Sequence, residues 1–229
     1  MKWLIVNGDD FGMSAGISRG IVEAHRAGIL TSTSLMVNRP ASEEAAALGR
    51  DCPGLSVGLH LELTDPARAA AEVEDQLGRF LALVGTVPTH LDSHHDVHLD
   101  PEVLPHVVAQ AERTGVPLRG RSGIRRISKF YGRWDDETHP EQISVESLLR
   151  LVDAGAGEYV NELICHPGYV EPGVASTYAA ERAVEVGTLC DDRVREGLLA
   201  RGIRLIGFRD LATLPHRTLT AEDATCPRS

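Results

Sequence analysis

The sequence alternates between short apolar runs and longer segments whose apolar residues recur at helical spacing, from its second residue to about residue 208. A strand followed by a helix is the unit from which parallel sheets are built, and continuously apolar runs are typical of strands buried on both faces. We identify about seven such units and no hairpin between them. The predicted fold class is α/β, a closed or nearly closed barrel of parallel strands in a single domain, with an open doubly wound sheet as the alternative.

The predicted elements cover nearly the whole chain. Strands are expected at residues 2–7, 30–38, 55–63, 88–93, 116–119, 160–165 and 203–208. Helices are expected at residues 15–27, 41–50, 66–84, 101–114, 144–153 and 175–201, the last being one long helix or a helix pair. Residues 120–142, rich in Gly, Arg and aromatic residues, are expected to be irregular. The domain therefore spans residues 1–214, followed by a polar tail at 215–229.

The bulk composition limits the partners that the chain can bind. Its formal net charge of −10 disfavours nucleic acid and anionic membranes, and favours a neutral or cationic small molecule. No apolar stretch is long enough to span a bilayer, and the first residues lack the pattern of a signal peptide. The four cysteines are widely scattered, which is typical of free thiols in a reducing compartment. We therefore expect a cytoplasmic protein.

Ionisable residues cluster where the predicted strands end. Asp9 and Asp10 follow the first strand, His60 lies near the end of the third, and His166 follows the sixth. The stretch that ends the fourth strand contributes six more ionisable residues, namely His90, Asp92, His94, His95, Asp96 and His98. In either parallel fold the carboxyl ends of the strands meet at one rim, where functional residues lie.

Carboxylates and imidazoles from different strands, without thiolates, form the ligand set of a catalytic divalent metal site. A cation would also relieve the repulsion between the adjacent Asp9 and Asp10, of which one could bind the metal and the other accept a proton. Each residue alone has a structural explanation as well. An Asp after a strand can cap a helix, His60 can be a core histidine, and His166 can be a turn residue before Pro167. One metal site would explain all of them together.

Several segments resemble the YdjC/ChbG family of carbohydrate deacetylases, in order and over residues 4 to about 211. They are LIVNGDDFGMSAGISRGI, GLHLELT, PTHLDSHHDVH, KFYG and ICHPGY. The resemblance implies a distorted (β/α) barrel similar to that of polysaccharide deacetylases. It also implies the removal of N-acetyl groups from amino sugars and their oligomers.

The resemblance assigns roles to five residues. Asp9 is the expected general base and His166 the expected general acid. Asp10, His60 and His94 are the expected metal ligands.

Two departures from the family pattern bear on these roles. Asp96 stands where the family motif has a histidine, and His98 is an alternative ligand or a residue supporting the ligands. The segment after Thr64 is shorter than in typical relatives, which leaves open whether the substrate is an oligosaccharide.

The resulting hypothesis is a metal-dependent deacetylase that acts on an acetylated amino sugar and releases acetate. Arg119 is expected to orient Asp9 and to contribute to substrate binding, and Tyr131 or Trp134 to form a sugar platform. A backbone N–H near Tyr131 and Gly132 is expected to stabilise the oxyanion.

The sequence leaves the identity of the metal ion and several competing functions open. One divalent ion is expected, zinc on the basis of the imidazole ligands, with magnesium as the alternative. A homodimer is left open. The competing functions are hydrolysis of another amide, a lactam or a phosphoester, and sugar binding without catalysis.

Overall fold

The computed structural model describes residues 2–174 and 176–214, so the predicted tail at 215–229 lies outside the described residues. The strands are β1 (Lys2–Phe11), β2 (Ser32–Leu35), β3 (Ser56–Leu61), β4 (Leu91–Ser93), β5 (Arg125–Ile127), β6 (Arg133–Trp134), β7 (Glu137–Thr138), β8 (Val160–Cys165) and β9 (Ile203–Leu205). The α-helices are α1 (Ala15–Arg26), α2 (Ser42–Arg50), α3 (Ala69–Val84), α4 (Leu104–Thr114), α5 (Val145–Gly155), α6 (Ala179–Leu189) and α7 (Asp192–Ala200).

Seven of the strands form one parallel sheet, in the order β4-β3-β2-β1-β8-β5, with β9 paired to the start of β1. The sheet is strongly curled. Its curl is evident from Arg119, which lies beyond the β4 edge and contacts Glu162 on β8 across the interior. Beyond β4, the chain makes a single parallel bridge between Leu91 and Leu118. The predicted parallel α/β barrel is therefore confirmed, in a distorted form that the described strands leave open between β4 and β5.

Two predicted elements differ in the structure. The expected strand at 116–119 is reduced to the bridge at Leu118. The segment expected to be irregular contains β5, which joins the main sheet, and the antiparallel pair β6–β7. Of the two alternatives for residues 175–201, the structure has the helix pair, α6 and α7, separated at Cys190 and Asp191.

The side chains of β1 alternate between two environments, as in any strand. Leu4 and Val6 belong to the large apolar cluster of the domain. Ile5, on the opposite face, belongs to a small cluster that includes Ile206. Asn7 continues that second face, where its amide donates to Ser34 Oγ (2.8 Å) on the neighbouring strand. The face thus changes from apolar at its base to polar toward the carboxyl end of the strand.

Two further predictions concern membrane-spanning segments and the state of the cysteines. Among the described residues, no helix combines the length and the apolar character needed to cross a membrane. Cys52, Cys165 and Cys190 are free thiols, as predicted, and Cys226 lies outside the described residues.

Candidate functional site

A bulge in β1 brings the two adjacent carboxylates to one site. Gly8 pairs with Thr33 and Phe11 pairs with Leu35, so that Asp9 and Asp10 together face a single residue of β2. In a regular strand, successive side chains point to opposite faces, whereas a bulge redirects one of them. Asp10 has a left-handed backbone (φ 71°), and both carboxylates line the same cavity.

Two histidines from other strand ends converge on Asp10. His60 Nε2 lies 3.4 Å and His94 Nδ1 lies 3.2 Å from Asp10 Oδ1. That oxygen is buried and has no hydrogen-bond partner among the described residues. His60 donates from its other ring nitrogen, Nδ1, to Asp92 Oδ1 (2.7 Å), so that Nε2 would be the nitrogen available to a cation that displaces its proton. One carboxylate oxygen and two imidazole nitrogens thus converge, as expected from the sequence.

This donor set fits a divalent cation. The candidate ligand atoms of Asp10, His60 and His94 all lie within 4.8 Å of one another. Burial by itself would lower the pKa of His60, but Asp92 and Asp10 raise it well above its usual value. The surrounding carboxylates therefore favour positive charge at this position, and a bound cation would supply it.

Two buried arginines also neutralise the carboxylate pair: Arg119, which was expected beside Asp9, and Arg182, which the sequence did not reveal. Arg119 donates to both oxygens of Asp9 (2.8 Å each), and Arg182 donates to Asp10 Oδ2 (2.5 Å). Burial alone would raise the pKa of Asp9, but Arg119 holds it below its usual value. Burial would likewise raise the pKa of Asp10, but the adjacent His60 and His94 imidazoles, together with Arg182, hold it well below its usual value. Both carboxylates are therefore ionised at neutral pH.

Arg119 is the centre of a larger buried network. Besides Asp9, it pairs with Asp92 (2.8 Å) and with Glu162 (2.8 Å), and its side chain is only 1% exposed. It also lines the cavity. Since its hydrogen bonds go to three carboxylates, Arg119 is placed to orient Asp9 rather than to bind a sugar directly.

His166 lies in the loop after β8, the strand paired with β1, and lines the same cavity. Its Nδ1 is buried without a hydrogen-bond partner among the described residues, and burial lowers its pKa. Its backbone N–H donates to Glu185 on α6 (2.5 Å), and its carbonyl accepts from Arg182 (3.2 Å). These contacts fix the main chain of His166, and with it the position of the ring, at the cavity wall.

The two predicted aromatic platforms lie in different places. Tyr131 lines the cavity and stacks on Tyr178, with the ring centroids 4.4 Å apart. Trp134 lies on β6, outside the cavity lining, and stacks on His139. Of the N–H groups near Tyr131 and Gly132 that were expected to stabilise the oxyanion, that of Gly132 is engaged, because it donates to Tyr178 Oη (2.8 Å).

The histidine-rich segment after β4 separates into distinct roles. Left-handed backbone at His95 and Asp96 (φ 55° at each) turns the chain sharply after His94. Asp96 pairs with Arg126 (2.5 Å). His98 is buried, and its two ring nitrogens contact Ser93 Oγ (2.7 Å) and the Arg119 carbonyl (3.1 Å). His98 is therefore engaged elsewhere and does not join the candidate ligands.

Comparisons with known proteins identify the family of the chain. The model of the family described as "YdjC-like protein" matches residues 3–71 and 65–200. The chain belongs to this family. The two matched segments overlap at residues 65–71.

A chitooligosaccharide deacetylase of Enterobacter sp. (strain 638) is 36% identical over 251 residues, covering 92% of this chain and 99% of that protein. A solved structure from Enterococcus faecalis V583, described provisionally as a cellobiose-phosphate cleavage protein, is 28% identical with a TM-score of 0.81, covering 92% of this chain and 98% of that one. A polysaccharide deacetylase of Bacillus cereus has a TM-score of 0.60 at 13% identity, covering 97% and 100%. The last likeness shows that this YdjC-like chain shares the polysaccharide deacetylase fold.

Proposed function

We propose that this YdjC-like protein is a metal-dependent deacetylase that hydrolyses the N-acetyl group of an amino sugar or a short amino-sugar oligomer. The observation that carries the proposal is the convergence of Asp9, Asp10, His60, His94 and His166 on one cavity. The deacetylase relative at 36% identity over nearly the whole chain supports the same substrate class.

Asp10, His60 and His94 would hold the metal. When bound, a divalent cation would supply Lewis-acid stabilisation of the charge that develops on the acetyl oxygen. Mostly imidazole donors favour zinc over magnesium.

Asp9 would act as the general base. Arg119 holds both of its oxygens in place, so that the carboxylate stays ionised and fixed in orientation. It would accept a proton from the water that attacks the acetyl carbon. The low pKa makes Asp9 a weak base, but one that is ionised throughout the neutral range.

His166 would protonate the leaving amine. Its unpartnered Nδ1 and its place on the wall of the cavity that Asp9 also lines suit this role. Water and the acetamide would then yield acetate and a free amine.

The cavity suits a sugar-sized substrate. Its volume is about 620 Å³, and the Tyr131–Tyr178 stack forms part of its wall. Aromatic faces pack against the apolar faces of sugar rings, while Ser128, Ser176 and Thr177 on the wall could bind hydroxyl groups.

The reaction type is tested by incubating the zinc-loaded protein with N-acetylglucosamine oligomers of one to four units and measuring acetate and free amine together. We expect the two products in equal amounts. A parallel assay with aryl phosphates measures phosphate release. Release of phosphate but not of acetate would contradict the proposal, and so would sugar binding without either product.

The metal site is tested with His60→Ala and His94→Ala, each compared with His106→Ala, a histidine on α4 that does not line the cavity. Both ligand variants should lose stoichiometric metal and acetate release while keeping the circular dichroism spectrum of the parent. Full metal content in either variant would remove that histidine from the ligand set.

A further inference from the structure

Helix α6 presents two buried ionisable side chains to the candidate site. Arg182 and Glu185 are three residues apart and therefore lie on the same face of the helix. Their exposed fractions are 4% and 0%. Burying such groups is costly unless each finds partners of good geometry.

Both side chains bind the main chain of His166. The His166 N–H donates to Glu185 Oε2 (2.5 Å), and Arg182 Nη1 donates to the His166 carbonyl (3.2 Å). The residue that carries the candidate acid is therefore held on both sides by one helix.

Arg182 has a second contact, on the metal side of the cavity. Its Nη2 donates to Asp10 Oδ2 (2.5 Å), which leaves only Oδ1 directed toward His60 and His94. One guanidinium thus links the candidate ligand Asp10 to the backbone of His166.

Glu185 extends the contact to the aromatic wall. Tyr178 donates its hydroxyl to Glu185 Oε1 (2.5 Å), and its ring lies edge-on to His166 at 5.8 Å between centroids. The carboxylate therefore fixes the main chain of His166 and a ring beside its imidazole.

The loop of His166 is also confined from the other side. A Cβ atom at Gly20 of α1 would lie 2.6 Å from Gly168 Cα, so the loop packs directly on the α1 backbone. The Gly168 N–H donates to the Arg182 carbonyl (3.2 Å). With the loop held between two helices, the contacts of α6 determine where the imidazole lies.

We propose that Arg182 and Glu185 are positioning residues. Arg182 restricts Asp10 to offering a single oxygen to the metal, and the pair together sets the place of His166 relative to it. This inference rests on the proposed function, and neither role requires the residue to touch the substrate.

The first test uses Arg182→Ala loaded with Co²⁺, whose visible absorption depends on the number and geometry of its ligands. Without Arg182, both oxygens of Asp10 are free to bind, so we expect a changed Co²⁺ spectrum together with a kcat about 10- to 100-fold lower. If Arg182→Ala does not fold, Arg182→Lys gives the same readout, because its single ammonium group cannot span Asp10 and the His166 carbonyl. A spectrum identical to that of the parent protein would overturn the role of Arg182.

The second test compares Glu185→Ala with Glu185→Gln. The amide carbonyl of Gln can still accept from the His166 N–H, whereas Ala cannot. We expect Glu185→Ala to lower kcat about 10- to 100-fold with little change in KM, to leave the Co²⁺ spectrum unchanged, and to shift the imidazole NMR signals of His166. Glu185→Gln should restore most of kcat. Equal losses in the two variants would overturn the role of Glu185.

Glu181→Gln is the matched control. Glu181 is buried on the same helix, but its ion pair is with Arg133 (3.5 Å), and it does not line the cavity. It should leave the spectrum and kcat unchanged. If the parent protein releases no acetate while the Co²⁺ spectrum still changes in Arg182→Ala, the proposed function fails and the role of Arg182 stands. If the parent protein is active and the α6 variants behave like Glu181→Gln, the function stands and this inference fails.

Discussion

At the scale of single residues, the adjacent carboxylates at the end of β1 have different surroundings. Both oxygens of Asp9 are bound by Arg119, whereas Asp10 has one oxygen on Arg182 and the other facing two imidazoles. Asp10 therefore has a free oxygen for a cation, and Asp9 does not. The pair was visible in the sequence, but the arginines that make its members unequal lie about 110 and 172 residues away along the chain.

This asymmetry predicts different effects of two isosteric variants. Asp9→Asn should keep the metal and lose about 10²- to 10⁴-fold in acetate release, because an amide cannot accept the proton of the attacking water. Asp10→Asn should weaken metal binding itself. Metal content and turnover measured on the same samples separate the effects. Loss of metal from Asp9→Asn alone would show that the two roles are reversed.

The protonation of His166 predicts the shape of the pH profile. A general acid must be protonated, so activity should fall as the pH rises through its pKa, while ionised Asp9 sets the acid limb. Because burial lowers the pKa of His166, the alkaline limb should lie at a lower pH than an exposed imidazole would give. The pH dependence of kcat, measured from about pH 4 to 9, should show the alkaline limb, whereas the acid limb lies at or below the lower end of this range because Arg119 holds the pKa of Asp9 below its usual value.

A pair of substrates identifies His166 as the group responsible. A phenolate leaves an acetate ester without a proton, whereas an amine cannot leave an acetamide in this way. His166→Ala should therefore lose about 10²- to 10⁴-fold on the acetamide and far less on an aryl acetate. Equal losses on the two substrates would leave His166 with a structural role only.

At the scale of elements, the close packing of α1 on the loop after β8 depends on glycine. Since a Cβ at Gly20 would lie 2.6 Å from Gly168 Cα, Gly20→Ala requires the backbone to shift. We expect a loss of about 1–3 kcal/mol in the free energy of unfolding, measured by urea denaturation. Acetate release should fall as well, because the displaced loop carries His166.

Gly78→Ala is the matched control, since Gly78 lies within α3 and a Cβ there meets no atom within 4 Å. Alanine has the higher helix propensity, so this variant should gain about 0.5–1 kcal/mol. A gain at both positions would mean that the loop after β8 adjusts freely to α1.

The elements that could be predicted from the sequence are those whose own residues show a clear apolar pattern. The strands β1, β3 and β8 are buried along most of their length, and their apolar runs were visible. In contrast, β5 is a three-residue edge strand containing Arg125 and Arg126, and its pattern does not differ from that of a loop. Arg182 and Glu185 were equally hidden, because charged residues on a helix are ordinarily exposed, and only the packing of α6 shows that these are buried.

At the scale of the whole molecule, Arg119 holds together parts of the barrel that the sheet does not join by hydrogen bonds. It follows the bridge beside β4 and pairs with Asp92 next to it, with Asp9 on β1 and with Glu162 on β8. One cation thus compensates three buried carboxylates from three strands. This ion network crosses the interior of a barrel whose described strands remain open between β4 and β5.

Replacing this cation should have a large and pH-dependent cost. Arg119→Met leaves buried carboxylates without compensation, so we expect the free energy of unfolding at pH 7 to fall by about 3–5 kcal/mol. In the parent protein, the lowered pKa values of Asp9 and Asp92 add stability that is fully present above the ordinary aspartate pKa and is lost only below it. In the variant, burial without Arg119 raises these pKa values, so the folded state binds more protons than the unfolded state.

The free energy of unfolding of the variant should therefore increase as the pH falls from 7 to about 5. That of the parent protein should change little through Asp9 and Asp92, so the difference in stability between the two proteins should narrow. Urea denaturation at both pH values measures this difference. Arg193→Met is the control, because Arg193 pairs with Asp191 and Glu146 at the surface and its side chain is 65% exposed. That variant should leave the free energy of unfolding unchanged within the error of the measurement at either pH, because water screens an exposed ion pair. A deficit in Arg119→Met that stays constant between the two pH values would show that lost packing, and not uncompensated charge, is its cause.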